Sequence, residues 1–136
     1  MQNSYRHAKT SVSLINYHFV FCPRFRRKIF LIPGLENCFK QKVSEICEKI
    51  DVRILAIECD KDHTHLFLNC PTTISPADVV KKIKGGTGRY FMDQFNELAK
   101  VQNMWTRSYF VSTAGNVSSE TIQKYVESQK KRSSKS

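Results

Sequence analysis

Three observations predict one α+β domain of ferredoxin-like, split βαβ plan. Apolar segments occur in the order strand, helix, strand, strand, helix, strand, helix. The chain has 136 residues, enough for one core and too few for a second. Apolar residues make up 40% and aromatic residues 11% of it, enough to fill that core. The expected sheet has four antiparallel strands with helices on one face, plus a C-terminal helix. Residues 1–136 read as a single domain, with 1–10 a polar, basic, loose arm and 130–136 a frayed basic tail.

Ser11 to Cys22 is dense in Val, Ile, Phe and Tyr and reads as the first strand. Pro23, Arg24, Arg26, Arg27 and Lys28 form a basic turn, and Pro33-Gly34 breaks the chain before a helix. From Leu35 onward, Phe39, Val43, Ile46, Cys47 and Ile50 recur at helical spacing, so one face is buried. Val52 to Cys59 is the second strand. Asp60-Lys61-Asp62 turns it back into a third, His63 to Cys70, which pairs with it antiparallel. Ser75-Pro76-Ala77-Asp78 starts a helix, with Ser75 as cap, Pro76 in the first turn and an acid near the positive end. Val79, Val80, Ile83, Tyr90, Phe91 and Phe95 give its buried stripe, and Gly85, Gly86 and Gly88 suggest a bend in its middle. Ser108 to Thr113 is the fourth strand. A last helix starts at Ser118, with Glu120 in its first turn and Val117 and Ile122 at staple spacing.

Lys and Arg number 22 against 12 Asp and Glu, a net charge of +10. Such an excess suits a polyanion, nucleic acid first and a membrane surface second. No apolar run reaches the roughly 20 residues that span a bilayer, so a membrane protein is disfavoured. The five cysteines, Cys22, Cys38, Cys47, Cys59 and Cys70, form no C-x-x-C pair; they read as reduced, buried thiols of a cytoplasmic protein.

His63 and His65 begin a strand, where a period of two puts both imidazoles on one face. That is half or more of a divalent metal site, and equally a polar surface pair. Tyr125 and Gln129 stand one turn apart on the last helix. Tyrosine there can pack on a sheet; it can also attack a phosphodiester if a metal neutralises the phosphate oxygens. The histidine pair would hold that metal, Mg²⁺ or Mn²⁺, and Gln129 would add an oxygen. Asp60 and Asp62 suit the turn itself and are secondary metal candidates, while His18 and His7 read as structural. Arg24, Arg26, Arg27, Lys28, Lys81, Lys82, Lys84 and Arg89 are candidates to track a phosphate backbone, with Phe25 and Tyr90 to stack bases. Gly85-Gly86-Thr87-Gly88 lacks the lysine of a phosphate-binding loop, so no nucleotide cofactor is expected.

Five strings in order extend these readings: the segment from His18 to Lys28, Asp62-His63-Thr64-His65-Leu66, the segment from Ile83 to Phe91, the segment from Trp105 to Gly115, and Tyr125 with Gln129. Together they resemble the HUH-type single-strand transposases of the insertion-sequence 200/605 family. Thr64 departs from it, since the family more often has a bulky apolar residue there. The resemblance implies a transposase that cleaves and rejoins single-stranded DNA at mobile-element ends through a 5′-phosphotyrosine on Tyr125. It also implies recognition of a subterminal hairpin, and a homodimer whose active sites are completed in trans by the last helix. The rival reading is a non-catalytic module for single-stranded nucleic acid on the same fold. A third is a replication-initiator or repeat-associated HUH relative with the same chemistry.

Overall fold

A computed structural model describes residues 5–114. Strands β1 (Arg6–His7) and β2 (Val12–Ser13) form a small hairpin. Strand β3 (Ile15–Phe21) leads through two short 3₁₀ turns into helix α1 (Leu35–Lys49). The hairpin of β4 (Arg53–Asp60) and β5 (His63–Cys70) follows, then helix α2 (Pro76–Gln94) and strand β6 (Phe110–Thr113). The main sheet is four-stranded and antiparallel in the order β4-β5-β3-β6. The expected last helix, with Ser118, Tyr125 and Gln129, and the tail 130–136 lie outside the described residues.

Alternation along β3 and β5 divides the sheet into two faces. Phe19, Leu66 and Leu68 are fully buried with Leu35, Phe39 and Val43 of α1 and Phe91 of α2 in one core. Each such side chain contributes about 1.5–3 kcal/mol on burial. The spacing of Leu35, Phe39, Val43 and Cys47 makes α1 amphipathic, and Gly34 enters it with φ +82°, a backbone only glycine adopts without strain. Ser75 accepts a hydrogen bond from the Asp78 backbone N–H at 3.1 Å, as the cap reading expects.

Four readings change. The stretch from Ser11 to Cys22 is divided between β2 and β3. The 1–10 segment is not loose from Arg6 onward: Arg6 is buried, its guanidinium donating to Asn69 Oδ1 at 2.6 Å, Asn69 O at 3.0 Å and Asp51 O at 2.8 Å. A buried arginine with four acceptors, the fourth an ion pair to Asp51 Oδ2 at 3.1 Å, cannot be told from a solvated one by composition. Helix α2 runs unbroken through its glycines, because Gly86 lies against α1, where a Cβ would come 2.6 Å from Ile46 Cδ1. Ile29 and Phe30 beside the basic turn are buried in the core, hidden in the sequence by the surrounding charges.

Thr64, the departure noted above, is fully buried; its hydroxyl donates to the Glu58 carbonyl at 3.2 Å and lies 3.5 Å from Cys59 Sγ. The cysteines are all free, and burial pushes the Cys47 and Cys59 thiols up to about 12. Among the described residues no helix is long and apolar enough to cross a membrane.

Replacing Arg6 by Ala strands the amide of Asn69, which itself donates to Asn16 Oδ1 at 2.7 Å. The expected loss is about 2–3 kcal/mol in urea unfolding, whereas Asp51→Asn, which removes the charge at the exposed end of the ion pair and suits the backbone's φ of 58°, costs below about 1 kcal/mol. Equal losses would show that the ion pair, not the buried amide network, anchors the N-terminal hairpin.

Candidate functional site

The second sheet face carries the imidazoles. His63 stands opposite Asp60, and His65 stands between Glu58 of β4 and Val20 of β3, all set by strand register. The two rings lie 5.2 Å apart. The structure adds a residue that the sequence reading left aside: His18 of β3 stacks on Phe67 at 4.2 Å, and its Nε2 is 3.0 Å from His65 Nδ1. Phe67 was opposite His18 in any β3–β5 pairing of this register, but the register itself is not legible from local sequence.

Each histidine of the pair has its Nδ1 engaged. His63 Nδ1 donates to Asp62 Oδ1 at 2.9 Å, and Asp62 Oδ2 accepts from Arg26 Nε at 3.2 Å. Burial pushes Asp62 up, but the hydrogen bonds from His63 and Arg26 outweigh it and hold the carboxyl below its ordinary range. So Asp62, a turn residue by sequence, orients His63, and Arg26, a backbone candidate by sequence, orients Asp62. His18 and His65 are both pushed down to about 4 by burial, with His65 lowered further by its two histidine neighbours. Both are neutral at pH 7.

That donor set suits a divalent metal. A ligating histidine ordinarily donates its other ring N–H to a carboxylate or a similar acceptor. His63 does so to Asp62, and His65 can do so to His18 Nε2, so the Nε2 atoms of His63 and His65 are the ones that could take a metal. Among the described residues no group of three His, Cys, Asp or Glu is set to share one ion, so the pair needs an oxygen donor from outside it. Asp60 Oδ1 is engaged by the Lys61 backbone N–H at 2.8 Å, a turn role.

The basic candidates separate. Arg24, Lys84 and Arg89, with Phe25, line an open cavity of about 650 Å³ between the basic turn and α2, floored by Met104 and Trp105. Arg27 lies over the Phe25 ring, and Lys28, Lys81 and Lys82 are exposed. Lys84 is turned inward: its ammonium donates to the carbonyls of Thr106, Arg107 and Ser108, and burial draws it below the ordinary lysine range. It pins the segment entering β6. Tyr90 is half-buried under the Lys42 ammonium.

The family model described as "Transposase IS200 like" matches residues 11–129. The chain is 34% identical over 116 residues to the transposase for insertion sequence element IS200 of Salmonella typhimurium, covering 83% of this chain and 75% of that one. It is also similar to the crystal structure of a protein assigned as a transposase from Deinococcus radiodurans R1, with a TM-score of 0.74, 25% identity, and 91% and 97% of the two chains covered. The structure of a REP-associated tyrosine transposase bound to a REP hairpin shares the fold, with a TM-score of 0.60 at 12% identity over 89% and 67% of the chains.

The neutral histidines give a pH signature. Their unfolded pKa is 6.5 and their folded value about 4, so between these limits the unfolded chain binds more protons and stability falls as pH falls. Above pH 6.5 the contribution is complete. Urea midpoints measured from pH 7 to 4.5 are expected to drop through this window, and His18→Phe, which removes one of the two protons, is expected to flatten the drop by about half. Parallel curves for the two proteins would refute the assignment.

Proposed function

The chain belongs to the IS200-like transposase family, and we propose that it cleaves and rejoins single-stranded DNA by transesterification through Tyr125. What carries this reading is the donor arrangement at His63 and His65, whose Nδ1 atoms are both engaged by neighbours, in a chain matched by the family model through residue 129. The strand order β4-β5-β3-β6 supports the ferredoxin-like plan for this enzyme.

In this reading His63, His65 and the amide oxygen of Gln129 would hold Mg²⁺ or Mn²⁺, which would supply charge neutralisation for the scissile phosphate. Asp62 accepts the His63 Nδ1 proton and keeps that ring turned and its Nε2 lone pair free. His18 does the same for His65 by accepting at Nε2. The Tyr125 oxygen attacks phosphorus, the bond from phosphorus to the 3′ oxygen breaks, and the phenol proton ends on the released 3′ hydroxyl. The DNA 5′ phosphate is then held on tyrosine. A second 3′ hydroxyl reverses the step, so each phosphodiester is exchanged for another and no external energy source is needed.

The proposed partner is single-stranded DNA with a subterminal hairpin; a fold relative was solved with a REP hairpin bound, which supports a hairpin ligand here. The proposed assembly is a homodimer in which the C-terminal helix of one subunit brings Tyr125 to the histidines of the other.

Incubation with divalent metal and labelled single strands from the flanking genome is expected to give a covalent species on a denaturing gel. Tyr125→Phe loses it while keeping DNA binding, and His63→Ala or His65→Ala reduces cleavage by at least about a hundredfold. A covalent species in Tyr125→Phe would remove Tyr125 from the mechanism.

Mixing Tyr125→Phe with His63→Ala protein tests trans assembly. Mixed dimers with trans sites regain one intact site each, whereas cis sites regain none. No recovered cleavage in a sample shown to contain mixed dimers would rule out the trans arrangement.

A further inference from the structure

We propose that the cavity between the basic turn and α2 binds one unpaired nucleotide of a DNA single strand, its base against Phe25 and its phosphate among Arg24, Arg89 and Arg107. This rests on the reading of the protein as a single-strand enzyme, and it names a place where that strand is held, the phosphate among the cavity's lining cations.

The first observation is Gly85. Glycine inside a helix is costly relative to alanine, so it calls for a reason. Gly86 has one in Ile46, and Gly88 packs where a Cβ would lie 3.4 Å from Met104 Cβ. Gly85 has none among the described residues: nothing lies within 4 Å of the position its Cβ would take, and it faces the cavity. Gly85, which is exposed, leaves bare backbone along the cavity wall, while Gly88, three residues on, is covered by Met104 and Trp105. A flat ligand can approach such a wall closely.

Phe25 is the second. It is 78% exposed, and its backbone sits at φ 60°, ψ 19°, in the left-handed region, followed by Arg26 at φ 49°. Two consecutive non-glycine residues there are strained, and the strain sets an aromatic ring at the cavity rim rather than in the core. The Arg24 and Arg27 guanidinium groups lie 5.2 Å and 5.8 Å from its centroid. An aromatic platform among cations is the usual site for a stacked base with its phosphate.

Third, the cavity is of ligand size, and its basic turn is tied to the histidine strand through one hydrogen bond. Its volume of about 650 Å³ lies within the roughly 300–1,000 Å³ of small-ligand pockets. Phe25 lines it, and the next residue, Arg26, is bonded to Asp62, which orients His63. The apolar floor of Met104 and Trp105 suits a base, and the charged rim suits its phosphate.

The test compares a labelled oligothymidylate of twelve nucleotides with an abasic strand of the same length and charge, by fluorescence anisotropy. Wild-type protein is expected to bind the base-bearing strand more tightly. Gly85→Leu, which places a side chain into open space, is expected to keep or raise the thermal midpoint and to lose roughly tenfold in affinity for oligothymidylate, the scale of one base stack, with the abasic strand unaffected. Phe25→Ala, at an exposed position, is expected to do the same and keeps the test intact if Gly85→Leu folds poorly. Unchanged oligothymidylate binding in both variants, or an equal loss on the abasic strand, would overturn the pocket and leave the transposase reading standing. Failure of the wild-type protein to bind any single strand would overturn both.

Discussion

The register of β5 between β3 and β4 is the constraint on which the rest depends. This strand is buried on both faces: Thr64, Leu66 and Leu68 enter the core against the helices, while His65, Phe67 and Asn69 occupy the other side. Because the pleat has a period of two, a slip of one residue would carry the imidazoles into the apolar core and the leucines out of it. Two polar anchors oppose such a slip. At one end Asn69 is held by Arg6 and Asn16, and at the other the Thr64 hydroxyl is tied to the Glu58 carbonyl. Leaving any of these buried groups unpaired costs about 1–3 kcal/mol, enough to select one register in a small domain.

The same pairing sets the protonation and orientation of the histidines. Burial against Phe67 and the surrounding sheet keeps His18 and His65 neutral, and their mutual contact fixes how the rings face. The cost is a histidine pair buried where protonation is unfavourable, a placement of little use to stability alone. Such strongly shifted groups cluster at functional sites.

The elements with strong periodicity were legible in the sequence. His63–Cys70 has its expected bounds, α1 begins at Leu35, and α2 follows the Ser75-Pro76 start signal. His63 and His65 share a face as spacing requires. What was not legible arises from contacts distant in sequence: Arg6 finds Asn69, 63 positions away, and His18 finds His65, 47 positions away. Local composition gives a lone arginine in a polar segment and a lone histidine in an apolar strand, and only strand order turns them into an anchor and an orienting group. The glycines of α2 misled for a related reason, because their reason for being there lies on α1, at Met104 and Trp105, and in the cavity, not along the helix.

The basic excess also reads differently once the contacts are counted by purpose. Composition offers every lysine and arginine as a phosphate partner, but Arg6 is spent on the sheet, Arg26 on Asp62 and Lys84 on the carbonyls before β6. Those three charges are already hydrogen-bonded within the protein. Among the described residues the exposed cations are spread: Lys9, Lys49, Arg53, Lys61 and Lys100 lie elsewhere, while Arg27, Lys28, Lys81, Lys82, Arg89 and Arg107 belong to the basic turn, α2 and the segment before β6, and Arg24, Arg89 and Arg107 line the cavity with Phe25. Salt dependence of binding counts phosphates neutralised, not residues present. In the proposed function the salt slope would belong to outward cations, whereas Arg6, Arg26 and Lys84 act within the protein, holding the N-terminal hairpin, the carboxylate beside His63 and the segment before β6.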